Sequence, residues 1–257
     1  DGYSFHRTQE DLESYYMECY RAYERIFARA GLSNVVAVEA DSGMMGGKIS
    51  HEFILLTEVG EDTIATCTET GYYANREVAT GIIQGYPEAE KALEKVHTPN
   101  LKTIEEVAKF LGVQQHQTAK VVFYDSDEHG KPVIAVIRGD REICEPKLAK
   151  IIRAIPTPAN DARIRGAGGV PGFATPMGLD KSKWRIVVDS TVAASNNLVT
   201  GANETDYHYK NFNLERDLPG VETHDIAMIA DGDRTPDDKG VIALQRGIEV
   251  GNIFQLG

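Results

Sequence analysis

The sequence is poor in the features that mark secreted, zinc-binding and membrane proteins. Its three cysteines lie far apart, at positions 19, 67 and 144. Without a Cys-x-x-Cys pair, neither a disulfide framework nor a cysteine zinc site is expected, and a reducing cytoplasm is the expected location. No run approaches the roughly 18 apolar residues of a membrane helix, and the first residues show no signal-peptide pattern. We therefore expect no membrane partner.

Positive charge is also scarce. The chain has 27 lysines and arginines against 39 aspartates and glutamates, which gives a formal net charge of −12. A protein that binds nucleic-acid backbones indiscriminately needs the opposite balance, so that class is excluded. A nucleic-acid substrate held locally by a few basic side chains remains compatible with this composition.

Several catalytic signatures are missing. There is no Gly-x-Ser-x-Gly elbow, no His-Glu-x-x-His, no Walker P-loop and no dinucleotide fingerprint. The seven histidines are scattered along the chain. We therefore predict no serine nucleophile, no metal site and no nucleotide cofactor for the chemistry of this chain.

The composition that remains is typical of a globular protein. The chain has 257 residues, of which 42% are hydrophobic and 26% are charged, enough for one or two domains. Segments with helical and strand periodicity alternate irregularly, which predicts an α/β or α+β fold with a mixed sheet. Residue 1 is not methionine and the last residues read as a strand, so we expect a fragment of a longer chain.

The N-terminal part contains a long predicted helix over residues 9–31, with tyrosines at three- and four-residue spacing. This stripe indicates core packing more than a ligand-binding surface. After residue 75, an acidic stretch that reaches about residue 95 is expected to favour helix.

A glycine-rich stretch over residues 41–53 separates two predicted strands. It ends in a polar cluster of Ser50, His51 and Glu52. A plain hairpin loop and a small-molecule site are both compatible with this pattern.

The central segment, residues 97–124, reads as a loop, a capped helix and a strand. Thr103 and Glu106 have the spacing of a capping box. Ile104 and Val107 lie on one face of the predicted helix, and Gly112 is a stop signal.

Lys120 stands at the start of the apolar strand that follows this helix. A lysine there either pairs with a carboxylate and has no further role, or it holds a phosphate or a developing oxyanion. With an ordinary pKa of roughly 10.4 it would be a poor general base.

Three further features lie in the second half of the chain. A glycine-rich loop runs from Gly172 to Pro176, either as a connection or as a set of backbone N–H groups for an anion. Asp189 ends an apolar strand, as many helix caps do. His208 lies between two tyrosines, and a histidine in such a place is more often structural than catalytic.

These segments together resemble the bacterial-type prolyl-tRNA synthetases over essentially the whole chain. Residues 1–6 are similar to the segment after motif 2 of the class II core, residues 41–53 to the proline-site region, and residues 247–257 to the return strand. Between them the chain resembles the inserted editing domain, which is related to free-standing aminoacyl-tRNA deacylases.

The resemblance implies a division of the chain. Residues 1–64 and 247–257 correspond to pieces of an antiparallel class II aminoacylation core. Residues 65–246 correspond to the inserted, mixed-sheet editing domain, with a compact hydrolytic part at about 95–222. Motifs 1 and 3 and the arginine of motif 2 have no counterpart, so we expect this polypeptide not to charge tRNA by itself.

The resemblance also implies the site residues. The catalytic positions of the family fall on Lys120, Gly172, Pro176, Asp189 and His208. The alanine pocket and the tRNA 3′ end are implied at Thr98, Ile104, Val107, Gly168 and Gly169. Ser50, His51 and Glu52 are implied to be a remnant of the synthetic site. Two departures stand out: Asn252 replaces a histidine of many relatives, and Thr70 replaces a second cysteine near Cys67.

The implied function is hydrolysis of mischarged alanyl-tRNA(Pro), with alanine as product and no cofactor for editing. The full synthetase would use ATP and Mg²⁺, and its partners would be the tRNA(Pro) acceptor end, the rest of the synthetase chain and, through the class II core, a second copy. Three alternatives remain: a non-catalytic insertion that positions tRNA, a free-standing trans-editing hydrolase, and a small-molecule hydrolase that uses His208.

Overall fold

The structure is a computed structural model that describes residues 2–40, 49–166 and 168–256. The first elements in chain order are α1 (Gln9–Arg29), β1 (Val35–Glu39), β2 (Ser50–Leu56), β3 (Asp62–Cys67), β4 (Tyr72–Asn75), β5 (Glu94–His97), α2 (Ile104–Leu111), β6 (Ala119–Tyr124) and β7 (Val133–Arg138). They are followed by α3 (Glu145–Ile152), α4 (Asp161–Gly166), β8 (Arg185–Asp189), α5 (Ser190–Ala193), β9 (Leu198–Gly201), β10 (Tyr207–Phe212), α6 (Leu214–Asp217), β11 (Glu222–His224) and β12 (Ala243–Phe254).

The chain forms two compact units. One contains Asp1–Ile82 and Ile229–Gly257, and the other contains Ile83–Met228. None of the helices in the described parts of the chain is long and apolar enough to cross a membrane.

The first unit is built on a closed barrel with the strand order β1-β2-β12-β3-β4. Helix α1 contributes its aromatic stripe to this unit, where Tyr23 stacks on Phe53 with ring centroids 4.8 Å apart. Tyr16 is buried and donates a hydrogen bond to the carbonyl of Ile253. The stripe therefore packs as expected, although Tyr15 remains 44% exposed.

The barrel extends past the domain boundaries that the resemblance implied. The expected boundaries at 64/65 and 246/247 fall inside β3 and β12, and these two strands pair with each other from Asp62↔Gly247 to Thr66↔Ala243. β4 then pairs with β3 and closes the barrel on β1. Such long-range pairing cannot be read from local periodicity. The glycine-rich residues 41–47 lie outside the described part of the chain.

The acidic stretch after β4 is not helical, and the expectation of helix there is wrong. Residues 76–93 contain no helix in the structure. Backbone N–H groups of this segment donate instead to side chains of a later part of the chain. Glu88 N donates to Asn196 Oδ1 at 3.2 Å, and Lys91 N donates to Asn197 Oδ1 at 2.9 Å. Gly85 and Pro87 interrupt the segment and favour an extended course.

The second unit contains a four-stranded sheet, β11-β8-β7-β6, and a three-stranded sheet, β5-β10-β9. β6 and β7 are antiparallel, whereas β7, β8 and β11 are parallel, so the predicted mixed sheet is confirmed. All six residues of β7 are buried. Ile134 and Val136 pack on one face, and Val133 and Ala135 pack on the other beside α3, as the two-residue period of a strand requires.

Helix α2 has the capping box that the sequence predicts. The Thr103 hydroxyl accepts from Glu106 N at 3.2 Å, and the Glu106 carboxylate accepts from Thr103 N at 3.2 Å. Gly112 ends the helix in the left-handed region, with φ of 68°. Both ends of this short helix are therefore fixed by local sequence.

Arg138 makes buried contacts that the sequence did not predict. Its side chain is 1% exposed at the end of β7, and it donates to both carboxylate oxygens of Asp140 at 2.6 and 2.9 Å. It also donates to the carbonyl of Gln84 at 2.6 Å and lies over the Tyr86 ring. Burial disfavours the Asp140 carboxylate, but the guanidinium holds its pKa below the usual range. The segment at 84–86 is thereby attached to the central strand.

Replacing Arg138 by methionine should destabilise this unit on the order of 3 kcal/mol, because the carbonyl of Gln84 loses its donor and the half-buried carboxylate of Asp140 keeps only Arg141, at 3.5 Å. Urea unfolding measures the effect. The matched control is Arg163→Met, which breaks an exposed pair with Asp125 and should cost less than about 1 kcal/mol. Equal losses in the two variants would show that the buried pair has no special role.

Candidate functional site

A cavity of about 470 Å³ lies beside β6 in the second unit. β6 is the edge strand of the four-stranded sheet. The walls come from α2, β6, the loop after residue 170 and the strands β9 and β10, and they include Ile104, Val107, Lys120, Gly172, Gly201 and His208. The central capped helix and the strand that follows it therefore form two walls of one cavity.

The apolar wall is the first turn of α2. Ile104 and Val107 line the cavity, and Val107 is 3% exposed. Ala108 is buried behind them at 4% exposure. The helix face that Ile104 and Val107 share is therefore turned toward the cavity.

Lys120 lines the cavity and also pairs with a carboxylate, and its role in holding an anion stays a prediction. Its Nζ donates to Glu142 Oε1 at 2.7 Å. The lysine side chain is 22% exposed and the glutamate side chain is 77% exposed. Because Glu142 is so well solvated, the pair contributes little stability. The ammonium is thus held at the rim and remains accessible to an anion.

His208 lines the cavity from β10 as a neutral imidazole. Burial lowers its pKa to about 4. Its Nδ1 lies 2.6 Å from the hydroxyl of Thr98, which is itself fully buried. When the threonine donates, the ring proton lies on Nε2, and the histidine becomes a hydrogen-bond donor rather than a base.

Thr98 therefore has a different position from the one implied. It is not among the residues that line the cavity. It lies behind His208, and its backbone N–H donates to the carbonyl of Asp206 at 2.7 Å. Its contribution to the site runs through the histidine.

The loop at 172–176 closes one side of the cavity. Gly172 has φ of +82°, a conformation that favours glycine, and a Cβ there would lie 3.0 Å from Lys102 Cδ. Phe173 is 1% exposed and its ring centroid lies 5.6 Å from that of His208. Pro176 is buried and does not line the cavity. The glycine end of the loop thus lies at the site, and the proline end supports it.

Asn203 holds this loop in place, and sequence reasoning missed it. Its N–H donates to the carbonyl of Phe173 at 2.9 Å, and its side-chain oxygen accepts from Thr175 N at 3.0 Å. Its Nδ2 donates to the carbonyls of Thr175 and Met177 at 2.8 and 3.1 Å. The only local sign in the sequence is an asparagine after Gly-Ala, since asparagine tolerates the left-handed backbone region. In the structure its φ is 50°.

Gly201 lets the loop come close to β9. A Cβ at this position would overlap the carbonyl oxygens of Phe173 and Ala174. The backbone of the loop therefore packs directly on the backbone of the strand. The sequence shows the glycine but does not show what approaches it.

Asp189 is not brought to the cavity, in contrast to its predicted catalytic role. It is fully buried and caps α5, accepting from the backbone N–H of Thr191 at 2.9 Å and from the hydroxyl of Thr191. Its second oxygen accepts from Ile226 N at 2.9 Å. Burial raises the pKa of Asp189, and these hydrogen bonds offset part of that effect. Its geometry is that of a structural carboxylate.

Gly168 and Gly169 do not line this cavity either. Gly169 is buried, and a Cβ there would lie 3.0 Å from Ile164 Cγ2. Gly168 has φ of +87° and lines a second cavity of about 590 Å³. Their roles in the alanine pocket or at the tRNA 3′ end stay predictions.

Ser50, His51 and Glu52 lie on β2, in the first unit. The Nδ1 atom of His51 forms a hydrogen bond of 2.8 Å with the hydroxyl of Tyr16. Burial lowers the pKa of this histidine. Glu52 accepts from Asn75 Nδ2 at 3.1 Å, and burial raises its pKa. Their role in a synthetic site stays a prediction.

Within residues 2–40, 49–166 and 168–256, no three His, Cys, Asp or Glu side chains form a group that could hold a metal ion. Cys67 is buried, and the neighbouring Thr70 lowers the pKa of its thiol.

Comparison with known proteins relates this geometry to a family. Residues 98–218 match the aminoacyl-tRNA editing domain. The proline–tRNA ligase of Bacillus subtilis (strain 168) is 44% identical over 261 residues, covering 100% of this chain and 46% of its own length. The corresponding enzyme of Dehalococcoides mccartyi (strain ATCC BAA-2266 / KCTC 15142 / 195) is 44% identical over 259 residues, covering 100% and 45%.

Among solved structures, a protein described provisionally as a trans-editing enzyme for prolyl tRNA synthetase is 16% identical, with a TM-score of 0.46 over 54% of this chain and 87% of its own. The chain spans less than half the length of the two curated relatives. Residues 98–218 therefore match the aminoacyl-tRNA editing domain, within a chain that is similar along its whole length to bacterial proline–tRNA ligases.

Proposed function

We propose that the unit at 83–228 hydrolyses the ester bond of alanyl-tRNA(Pro). The observation that carries this proposal is the cavity in which the Lys120 ammonium, the Gly172 backbone and the apolar wall of α2 meet. An aminoacyl ester attached to a nucleotide presents an anion, a polarisable carbonyl and a side chain. The three walls match these three parts.

Lys120 is the charged group of the proposed mechanism. A fixed ammonium stabilises the phosphate of the terminal nucleotide or the negative charge that develops on the ester carbonyl during attack by water. Backbone N–H groups near Gly172 add dipoles at the same place. The lysine does not act as the base in this scheme.

The proton of the attacking water needs another acceptor. His208 is neutral and, with Thr98 donating to Nδ1, carries its proton on Nε2, so it orients substrate oxygen atoms instead of removing a proton. The ribose 2′-hydroxyl of the substrate then assists in activating water, which is the route that the family resemblance implies. The proton of the water passes to the departing ribose 3′-oxygen as the ester bond breaks, so that alanine and a free 3′-hydroxyl are formed. Asp161, which also lines the cavity, has no role in this scheme.

The apolar wall supplies the selectivity. A synthetic site shaped for proline cannot strongly reject the smaller alanine, so a second site has to remove the error. Ile104 and Val107 limit the size of the side chain that can enter, which admits alanine and excludes the proline ring.

The remaining expectations concern the whole protein. We propose that it carries the ligase activity named for the relatives, with ATP, Mg²⁺ and tRNA(Pro) as its reactants. The class II core is proposed to include the segments at 1–64 and 247–257, and a homodimer through that core is part of the same proposal.

The 257-residue chain should release alanine from alanyl-tRNA(Pro) faster than proline from prolyl-tRNA(Pro). Lys120→Ala should lower kcat about 10²- to 10³-fold, as the loss of a group that stabilises a transition-state charge does. The measurement is release of labelled amino acid over time. Binding of tRNA without hydrolysis by the unaltered chain would indicate the non-catalytic alternative.

The matched control is Glu142→Gln, which removes the partner of Lys120 and leaves the ammonium in place. It should keep hydrolysis within a few-fold of the unaltered chain, because the exposed pair has little structural value. A Glu142→Gln variant as inactive as Lys120→Ala would show that the ion pair, not the free charge, is what the site needs.

Ile104→Ala should widen the pocket and let prolyl-tRNA(Pro) be hydrolysed. The pocket gains roughly three methyl-sized groups of space, and such differences change discrimination by about 10- to 200-fold. Competition between alanyl- and prolyl-tRNA measures the ratio. Phe110→Ala alters an exposed residue of the same helix and should leave the ratio unchanged. An unaltered ratio in Ile104→Ala would move the size limit to another wall.

The neutral state of His208 has a consequence for stability. In the unfolded chain the histidine binds a proton near pH 6.5, but in the fold it stays neutral until about pH 4. The depressed pKa of this base means that stability is lost as the pH falls through this window, by up to about 3 kcal/mol. Urea unfolding at several pH values should show this loss, and His208→Gln should lack it.

The control for this experiment is His129→Gln, which changes an exposed loop histidine whose side chain is 80% exposed. Its acid sensitivity should match that of the unaltered chain. If His208→Gln lost stability with falling pH as steeply as the unaltered chain, His208 would not be held neutral, and its role as a donor would have to be given up.

A further inference from the structure

One charged side chain of the cavity has no role in the function proposed above. The lysines and acidic residues among the described residues that line the cavity are Lys102, Lys120 and Asp161. The two ammonium groups suit the phosphate and the ester carbonyl of an aminoacyl ester attached to a nucleotide. A carboxylate repels both of these groups, so Asp161 needs a different counterpart on the substrate.

The carboxylate of Asp161 is not used by the fold. Asp161 is the first residue of α4, but the start of this helix is capped by Asn160, whose Oδ1 accepts from Arg163 N at 3.0 Å. The side chain of Arg163 turns to Asp125 instead, with a hydrogen bond of 2.8 Å to its carbonyl and an ion pair of 3.5 Å to its carboxylate. Asp161 is exposed, and within the described parts of the chain its carboxylate takes part in no hydrogen bond or ion pair.

Asp161 lies beside the open edge of β6. The segment before α4 pairs with the end of this strand, since Ala159 N donates to the carbonyl of Phe123 at 2.8 Å. This antiparallel register, continued by two residues, places residue 161 opposite Val121. The chain leaves β6 at this point because α4 begins at Asp161. Val121 and Asp161 both line the cavity.

The carbonyl of Val121 points away from β7. Phe123 is the partner of Ile134 on β7, yet its carbonyl accepts from Ala159 on the other side. In an antiparallel pair, the residues whose backbone groups point outward recur every two residues, so the groups of Val121 point the same way as those of Phe123. The cavity wall therefore presents a carbonyl oxygen and a carboxylate close to each other.

Two acceptors that together carry one negative charge suit a donor with a positive charge. An aminoacyl ester contains such a donor, because its protonated α-amino group has three N–H bonds. We propose that Asp161, together with the carbonyl of Val121, binds the α-ammonium group of the aminoacyl ester. This assignment rests on the proposed deacylase function. It makes the charged amino group a requirement, so that the site selects aminoacyl esters over other esters of the same size.

The test compares alanyl-tRNA(Pro) with lactyl-tRNA(Pro), in which a hydroxyl replaces the ammonium while the methyl group and the ester are kept. Asp161→Asn should lower kcat/KM for the alanyl ester roughly 5- to 50-fold, as expected for one lost hydrogen bond between charged groups. It should leave kcat/KM for the lactyl ester nearly unchanged. Asp161→Glu keeps the charge and should retain most of the activity on the alanyl ester.

A pH profile gives a readout that a purely structural role of Asp161 would not change. An α-amino group loses its proton at about pH 8, and the neutral amine gains little from a carboxylate. The advantage of the unaltered chain over Asp161→Asn on the alanyl ester should therefore shrink as the pH rises through this value. On the lactyl ester the two proteins should show parallel profiles. Uncatalysed hydrolysis, measured without protein, is subtracted.

The matched control is Asp125→Asn, which removes the same charge from a carboxylate that pairs with Arg163 and does not line the cavity. It should leave kcat/KM for both esters unchanged. An equal loss on both esters in Asp161→Asn, or no loss on the alanyl ester, overturns the assignment of Asp161 and leaves the deacylase function standing. If the unaltered chain hydrolyses neither ester, the deacylase function is wrong and the assignment of Asp161 is wrong with it.

Discussion

The contact between the side-chain amide of Asn203 and the loop at 172–177 is the constraint on which the site depends. One residue satisfies four backbone groups of a loop that has no regular structure. Gly201, two residues earlier, removes the side chain that would keep the loop away from β9. Without this pair, the glycine wall of the cavity would have no fixed position. The regular sheet thus holds an irregular loop in a fixed position, as loops that carry functional groups require.

In the cavity, one side chain supplies positive charge and another supplies hydrogen bonds. Lys120 supplies a charge that stays near solvent at the rim, whereas His208 is buried deeply enough to remain neutral. A cationic histidine beside the lysine would repel it and weaken both. The buried hydroxyl of Thr98 supports this division, because it fixes the imidazole by a hydrogen bond and adds no charge. The apolar wall of α2 then faces a pocket whose charged lining residues are Lys102, Lys120 and Asp161.

Local sequence was enough to predict the parts of the site that depend on local interactions. The capping box of Thr103 and Glu106 and the stop at Gly112 predicted α2, and the spacing of Ile104 and Val107 predicted its pocket-facing side. The position of Lys120 at a strand start also led to the cavity. Long-range pairing was beyond such reasoning. Asp189 ends a strand in sequence, but only the fold shows that its carboxylate is used up by Thr191 and Ile226. For the same reason the sequence did not reveal Asn203, Arg138 or the barrel that β3 and β12 close.

The exposed carboxylate of Glu142 competes with any other anion for the ammonium of Lys120. With Glu142 against it, the Lys120 ammonium already has a counter-ion before any substrate arrives. In the function proposed above, an incoming phosphate or ester gains only the difference between its own interaction with the lysine and the one that it displaces. The same carboxylate can return when the ester has been cleaved and the anion departs. A group that weakens binding of the ground state in this way favours turnover over tight retention, because it reduces the interaction that substrate and product would share.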